Sequence, residues 1–402
     1  MSINLVSINP DTRSLSGHFF FYDFNIMEIC SHYDLNFYSL CWKETPNKLI
    51  ENKFQFIPTF RDNSWAIGNR GISGPPESLL NLFTREIQDA IGQIRSHNNN
   101  DIFLYMYTGS LNHAEVIAEV VWRQKNVVAN VNLFWLPFID VMSVEFKRRW
   151  ATFLTLVDKS SKVKITVTTS EMQELLYKSL NVRFAVAPHP STLLSDRDFV
   201  KLKIDELLTG NLNRTRRKLI VLLPGRAGTE MQMANKGYLI AVDIVKKLTP
   251  SKDILYKFIM RKPTSGNPHA ELAAKEVKEL TEFFDDELPE DDFAQLLKST
   301  DIIVLPYSQT AFSYRTSGLF IDAIYLGKPV VSLKGTWMGN RIEEFGCGAV
   351  AITHDANSFA EAIKEVANNY STYQKNTIKA GAKWFQNNNW ISLFGSLLQL
   401  IN

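Results

Sequence analysis

The feature that most constrains the fold is a regular alternation of short β-branched apolar runs with longer helical patterns, which occurs in two successive series. Parallel strands need a long crossover between them, so this alternation predicts α/β units with parallel sheets. A chain of 402 residues is about two to three times the length of a typical domain. The pattern and the length together predict two domains.

In the first series the predicted strands lie at residues 3–8, 37–40, 102–107, 127–134, 163–168 and 184–187, with helices at 77–95 and 114–124. Ser170 is the predicted N-cap of a further helix. In the second series the predicted strands lie at 219–223, 256–260, 302–306 and 330–333, with helices at 237–248, 269–280, 291–298 and 319–326.

The two series are separated by a segment rich in proline, glycine and basic residues. We predict two Rossmann-like domains that face each other across a cleft. The first spans residues 1–190, residues 191–218 form a linker, and the second spans 219–380. The last helical segment, 381–402, is aromatic and is predicted to pack toward the first domain.

Composition excludes several classes of protein. The 44 basic and 42 acidic residues leave a formal charge of +2, which argues against binding nucleic acid by bulk charge. Three cysteines are too few and too scattered for a disulfide framework. The most apolar run, 133–142, is about half a membrane span. The interpretation is a cytoplasmic protein, and peripheral contact with the inner face of a membrane is left open.

The segment Pro224-Gly225-Arg226-Ala227-Gly228 directly follows a predicted buried strand, and Lys236-Gly237 opens the next helix. Glycines let backbone N–H groups approach a ligand, and a helix start favours negative charge. With Arg226 and Lys236, the combination suits a phosphate or diphosphate. The structural alternative is a glycine turn that carries two surface cations.

A second candidate anion site follows the strand at 302–306. Arg315, Thr316, Ser317 and Gly318 stand at the start of a helix, where N–H groups and hydroxyls are available to an anion. Asp322 lies one turn further on and can accept hydrogen bonds from sugar hydroxyls, or is an ordinary acid that favours the helix dipole. Two such sites at strand ends in one domain imply a nucleotide diphosphate.

The order of these features resembles GT-B glycosyltransferases, in particular the retaining glycosyltransferase family 4, also called glycosyl transferases group 1. Beyond Gly225-Arg226 and Lys236-Gly237, the matching pieces are the stretches 288–297, 299–306, 315–323 and 327–331. The resemblance covers residues 219–367 well and the first half of the chain only in outline.

The resemblance implies roles for individual residues, each of which would contact the donor or the acceptor. Arg226, Lys236 and Arg315 would hold the donor diphosphate, together with Thr316, Ser317 and Gly318. Asp322 would hold the ribose, with Leu288 beside the nucleotide base, and Gly17 would form the acceptor loop. The family has an acidic residue eight positions before Asp322, where this chain has Tyr314. Tyr314 therefore stands in the place of a donor-sugar ligand.

A catalytic base or orienting group is expected from the first domain. His113, at a predicted helix start, and His18, beside Gly17, are the candidates, because histidine exchanges protons near neutral pH. Asp140 is a third. Each histidine is equally consistent with a helix cap or a solvent-facing residue. No metal site is predicted, since the Asp-x-Asp triplet at 196–198 does not follow an apolar strand.

The leading hypothesis is a metal-independent, retaining hexosyltransferase of polysaccharide biosynthesis, with no cofactor. It would move a sugar from a UDP- or GDP-type nucleotide-diphosphate donor to a glycan, lipid-linked glycan or protein acceptor. Two alternatives share the expected fold. One is a nucleotide-sugar epimerase, and the other is a non-catalytic scaffold, which the residue at position 314 favours.

Overall fold

The computed structural model describes residues 3–12, 18–33, 35–45, 55–68, 76–134, 136, 142–160, 162–209, 218–248, 254–264, 266–285 and 288–399. The chain divides into two compact units. Unit 1 comprises Met1–His189 together with Trp390–Asn402, and unit 2 comprises Pro190–Asn389. Gly17 and Asp140 lie outside the described residues, as does the side chain of His18.

Unit 1 is an alternating series of strands and helices. Its strands are β1 (Ile3–Ile8), β2 (Asn36–Trp42), β3 (Phe56–Phe60), β4 (Asp101–Gly109), β5 (Val127–Leu133), β6 (Val163–Val167) and β7 (Ala185–Val186). Its helices are α1 (His18–His32), α2 (Ser64–Gly68), α3 (Glu77–His97), α4 (Leu111–Arg123), α5 (Val144–Ser160) and α6 (Ser170–Leu180).

Unit 2 repeats the same plan. Its strands are β8 (Lys218–Leu223), β9 (Leu255–Arg261), β10 (Thr281–Phe284), β11 (Ile302–Leu305), β12 (Val330–Leu333) and β13 (Gly348–Ala351). Its helices are α7 (Asp196–Thr209), α8 (Glu230–Asn235), α9 (Tyr238–Lys247), α10 (Pro268–Glu276), α11 (Glu290–Ser299), α12 (Gln309–Phe312), α13 (Gly318–Tyr325), α14 (Trp337–Phe345), α15 (Ala356–Asn368) and α16 (Tyr370–Phe385). The last helix of the chain, α17 (Trp390–Leu398), belongs to unit 1.

The two sheets have the same topology. Within the described residues, the order is β3-β2-β1-β4-β5-β6-β7 in unit 1 and β10-β9-β8-β11-β12-β13 in unit 2. Every pairing is parallel. In both sheets the strand order reverses next to the first strand, and this reversal opens a crevice at the carboxyl ends of the two strands beside it. The predicted pair of Rossmann-like α/β domains is confirmed.

Both faces of the unit 2 sheet are buried, as a parallel sheet requires. Leu219, Val221 and Leu223 pack into one apolar cluster, with helices α9 and α15, while Leu222 packs into another with helices α13 and α14. Successive side chains of a strand point to opposite faces, so the continuous apolar run of β8 serves both clusters.

Helix α17 returns the end of the chain to unit 1. Trp390, Leu393, Phe394 and Leu397 enter the apolar cluster formed by α1 and the sheet, and the ring of Phe394 stacks 5.6 Å from that of Tyr33. In the described part of the chain, no helix is both long enough and apolar enough to cross a bilayer.

Three local predictions differ from the structure. The strands β3 and β10 at the sheet edges were not predicted, since β3 contains Pro58 and β10 has four residues. The N-cap of α6 is Thr169, whose hydroxyl accepts from Met172 N at 3.0 Å, and Ser170 is the first helical residue. The segment 191–218, interpreted as a linker, contains α7.

Candidate functional site

The loops that follow β8 and β11 meet at the strand-order reversal of unit 2. Gly237 has φ +63°, and a Cβ there would collide with the carbonyl oxygen of Pro306, so glycine alone allows the two loops to approach this closely. Ser308 N donates to Asn235 O at 3.0 Å and joins the loops a second time. The residues before α9 and before α13 therefore lie at one edge of the sheet.

Lys236 lies between aromatic rings at this junction. Its Nζ is 4.0 Å from the ring centre of Tyr307 and 4.5 Å from that of Phe312, both distances typical of cation–π contacts. The pKa of Lys236 lies well below its ordinary value, first because of burial and then because of Arg315 and Arg261.

Arg315 stands just before α13 and shares the ring of Phe312, with its guanidinium carbon 5.0 Å from the ring centre. Burial lowers its pKa. Lys236 and Arg315 therefore lie on the same aromatic side chain although 79 positions separate them in the sequence. Arg315 lowers the pKa of Lys236, and an anion bound beside both side chains would favour the charged form of the lysine.

Arg261 is a third cation of this cluster, and sequence reasoning missed it. It is the last residue of β9; its Nε donates to Pro224 O at 3.2 Å, and its guanidinium carbon lies 5.0 Å from the ring centre of Phe284. The signal that would have found it is positional. Leu223 at the end of β8 pairs with Met260, so the next residue of β9 falls at the same sheet edge as Pro224.

The loop after β8 packs against the residues that precede α9. A Cβ at Gly225 would lie 2.9 Å from Lys236 O, so the loop packs closely on the residue before α9. Arg226 is exposed and is a less enclosed cation than Lys236. The structure thus places Lys236, Arg315 and Arg261 together at the centre of the site and Arg226 at its surface.

The start of α13 is open to a ligand. Ser317 is the N-cap residue, and its side chain makes no capping hydrogen bond. Gly318 is the first helical residue, is exposed, and a Cβ built on it would meet no atom within 4 Å. Thr316 and Ser317 are buried beside it. Because the first N–H groups of a helix lack intrahelical acceptors, this end of α13 favours an anion.

The remaining residues assigned by resemblance lie around α13. Asp322 is 4% exposed, and its Oδ1 accepts from Ser191 Oγ at 2.7 Å. Burial raises the pKa of Asp322 to about 7. Hydrogen bonding by Ser191 and by the backbone of Leu193 and Thr192 acts in the opposite direction and lowers it. Tyr314 is half-buried, and burial raises its pKa. Leu288 packs against the apolar cluster of α13 and α14.

In unit 1, His113 is fully buried at the third position of α4. Its Nδ1 accepts from the backbone N–H of Ser110 at 3.2 Å and lies 2.8 Å from the Ser110 hydroxyl, so the two residues form a capping box. Burial lowers the pKa of His113 to about 3. This geometry is that of a neutral helix cap, and we assign no proton transfer to His113.

The structure resembles solved GT-B structures along nearly its whole length. A glycosyltransferase from Rickettsia africae is 12% identical, with a TM-score of 0.69, and the alignment covers 99% of this chain and 97% of that one. HepE from Anabaena, solved in complex with UDP-glucose, is 13% identical, with a TM-score of 0.61 and 99% coverage of both chains.

A structure described as a UDP-N-acetylglucosamine 2-epimerase from Listeria monocytogenes is 11% identical, with a TM-score of 0.58, and the alignment covers 100% of this chain and 96% of that one. No protein-family model and no curated protein sequence matches the chain. These similarities establish the GT-B fold.

Proposed function

We propose that this protein is a glycosyltransferase that takes its sugar from a nucleotide-diphosphate donor. The observation that carries the proposal is the convergence of Lys236, Arg315 and Arg261 at the strand-order reversal of unit 2, beside the open start of α13. This is the position at which doubly wound sheets bind nucleotides. HepE, which shares the fold, has been solved with UDP-glucose and supports a donor of this class.

The positions of Lys236, Arg315 and the start of α13 suit a reaction in which a nucleoside diphosphate is the leaving group. As the bond between the sugar and the nucleotide breaks, negative charge develops on the leaving oxygen. Lys236 and Arg315 would stabilise that charge directly, and the dipole of α13 would add to them. We extend the proposal to metal-independent transfer with retention, to a glycan, lipid-linked glycan or protein acceptor, on the resemblance of residues 219–367 to glycosyltransferase family 4.

The proposal is tested by calorimetric titration with UDP, GDP and ADP. We expect one of them to bind, and the double substitution Lys236→Ala with Arg315→Ala to weaken binding about 100-fold, because two charge-assisted contacts of about 1.5 kcal/mol each are lost. Lys364→Ala is the matched control, since Lys364 pairs with Glu361 on the exposed face of α15. Unchanged binding by the double variant would refute the assignment of the site.

The epimerase is the second candidate, because a protein described as one has the same fold. The two reactions differ in their need for an acceptor. Incubation of the bound donor without acceptor would yield an isomerised nucleotide sugar from an epimerase and would leave the sugar configuration unchanged with a transferase. A protein that binds the diphosphate and neither transfers, hydrolyses nor isomerises any donor would be a scaffold.

A further inference from the structure

The chain passes between the two units twice, after His189 and after Asn389. We call residues 187–194 the first crossing and residues 386–390 the second crossing. Both are bound on the unit 2 side by a single helix, α13, the helix whose start forms the candidate anion site.

Asp322 of α13 holds the first crossing. Ser191 Oγ donates to its Oδ1 at 2.7 Å, and the backbone of Leu193 and Thr192 lowers the pKa of the carboxyl. Ser191 Oγ in turn accepts from Leu193 N at 3.2 Å and from Leu194 N at 3.3 Å. Through Ser191, which lies 131 positions away in the sequence, the carboxylate is thus connected to the backbone of the first crossing.

Tyr325, at the end of the same helix, holds the second crossing. Its hydroxyl donates to Asn388 O at 2.9 Å, and the ring centre of Phe199 lies 4.4 Å from that of Tyr325. Helix α16, which leads into the second crossing, is packed directly on α13, because a Cβ at Gly381 would collide with the carbonyl oxygen of Ile324. The end of α13 and the approach to the crossing therefore form one packed body.

On the unit 1 side both crossings end on one pair of stacked tyrosines. The rings of Tyr22 and Tyr107 are 3.7 Å apart. His189 stacks 5.3 Å from Tyr107 and is hydrogen-bonded to its hydroxyl, while the ring of Trp390 meets that of Tyr22 at 5.0 Å. Within unit 1, the residues at which the two crossings end therefore belong to one aromatic cluster.

We propose that Asp322 is a positioning residue that ties the first crossing to α13, and that α13 couples anion binding at its start to both crossings. The identity of the anion as a nucleotide diphosphate rests on the proposed function. This role differs from the ribose contact that the resemblance implies for Asp322. Asp322 is 4% exposed and already accepts from Ser191 Oγ, so a ribose hydroxyl would compete with the first crossing for this carboxylate.

The coupling is tested by amide hydrogen exchange with UDP, and with inorganic pyrophosphate as a probe that lacks the nucleoside. We expect either ligand to slow exchange in peptides covering both crossings about fivefold, the effect of stabilising one hydrogen bond. Ser191→Ala removes the hydroxyl that donates to Asp322 Oδ1 and should abolish the slowing at the first crossing alone. Asp322→Asn keeps an acceptor oxygen but loses the carboxylate charge, and should reduce the slowing there. Tyr325→Phe should abolish the slowing at the second crossing alone.

Asp301→Asn is the matched control, since Asp301 is equally buried in unit 2 but bonds to Ile220 N, away from the crossings. It should leave the ligand effect intact. The ratio of affinities for UDP and 2′,3′-dideoxy-UDP separates the two roles of Asp322. We expect Asp322→Asn to leave this ratio of affinities unchanged. If the variant instead bound both nucleotides equally well, Asp322 would be shown to bind the ribose.

Protection of the first crossing that is unchanged in both Asp322→Asn and Ser191→Ala would overturn the coupling. If the proposed function is wrong, UDP, GDP and ADP will all fail to bind. If the coupling is nevertheless correct, pyrophosphate will still slow exchange at both crossings. Lack of protection by a diphosphate that does bind would overturn the inference and leave the proposed function standing.

Discussion

Lys236 shows how strongly one side chain depends on its surroundings. Its amine is surrounded by Tyr307, Phe312, Arg315 and Arg261, and burial with the two guanidinium groups lowers its pKa. The faces of the two aromatic rings stabilise the charged form of Lys236 by about 1–2 kcal/mol, which offsets part of the decrease in its pKa. Elsewhere in unit 2, Glu230 lies 3.0 Å from His269 Nδ1, and the Tyr238 hydroxyl donates to Arg261 O at 3.3 Å.

The lowered pKa predicts that binding of a diphosphate is accompanied by proton uptake at Lys236. In the empty site the pKa of the amine is lowered, and a bound polyanion would raise it. In the pH range between the two pKa values, affinity should therefore fall as the pH rises, by up to about tenfold per pH unit. Titration of UDP at pH 8.5 in buffers of different ionisation enthalpy measures the uptake, since UDP itself is fully ionised there.

The control for this prediction is Lys236→Arg, which keeps a cation that does not lose its proton. This variant should bind UDP without proton uptake and with a flat pH dependence between pH 7.5 and 9.5. Equal proton uptake by the wild type and by Lys236→Arg would contradict the role given to the lysine.

Helix α4 shows how a residue that is suggestive in the sequence takes a structural role. His113 had the position expected of a catalytic base, but its Nδ1 completes the capping box with Ser110. Its neighbour in space is the ring of Phe83, 5.8 Å away on α3, and burial excludes the charged form. The cost of protonating His113 should therefore appear as sensitivity of this helix to acid.

We predict that the amides of α4 lose protection between pH 7 and pH 5 because of His113. Its pKa is lowered in the fold, so the unfolded state binds a proton first, and stability decreases as the pH falls below about 6.5. The loss is about 1.4 kcal/mol per pH unit. Hydrogen exchange of α4, corrected for intrinsic rates, measures it. His113→Gln, which retains a capping acceptor, should show a smaller loss, and equal losses would refute the assignment.

Local sequence patterns predicted correctly those strands that are buried on both faces of a sheet. The buried strands β1 and β12 begin and end where predicted, since apolar, β-branched runs that are covered on both faces have few alternatives. The edge strands β3 and β10 were missed because their pairing depends on a neighbour rather than on their own composition. Arg261 was missed for the same reason, since only the register of β8 with β9 places it in the site.

Across the whole molecule, the fold follows from the repeated α/β pattern, and the candidate site follows from the reversal of strand order in unit 2. The connection of that site to the rest of the chain could not be predicted. Asp322 and Ser191 are 131 residues apart, and a short acidic side chain in a helix carries no sign of such a partner. Long-range polar pairs of this kind depend on the packing of α13, which sequence patterns do not encode.

The most direct test of the account is a crystal structure of the protein with whichever of UDP, GDP or ADP it binds. We predict that the diphosphate lies at the start of α13, with Lys236 Nζ and the N–H groups of residues 317 and 318 within about 3 Å of phosphate oxygens. A nucleotide bound in unit 1, or in unit 2 away from Lys236 and Arg315, would contradict it.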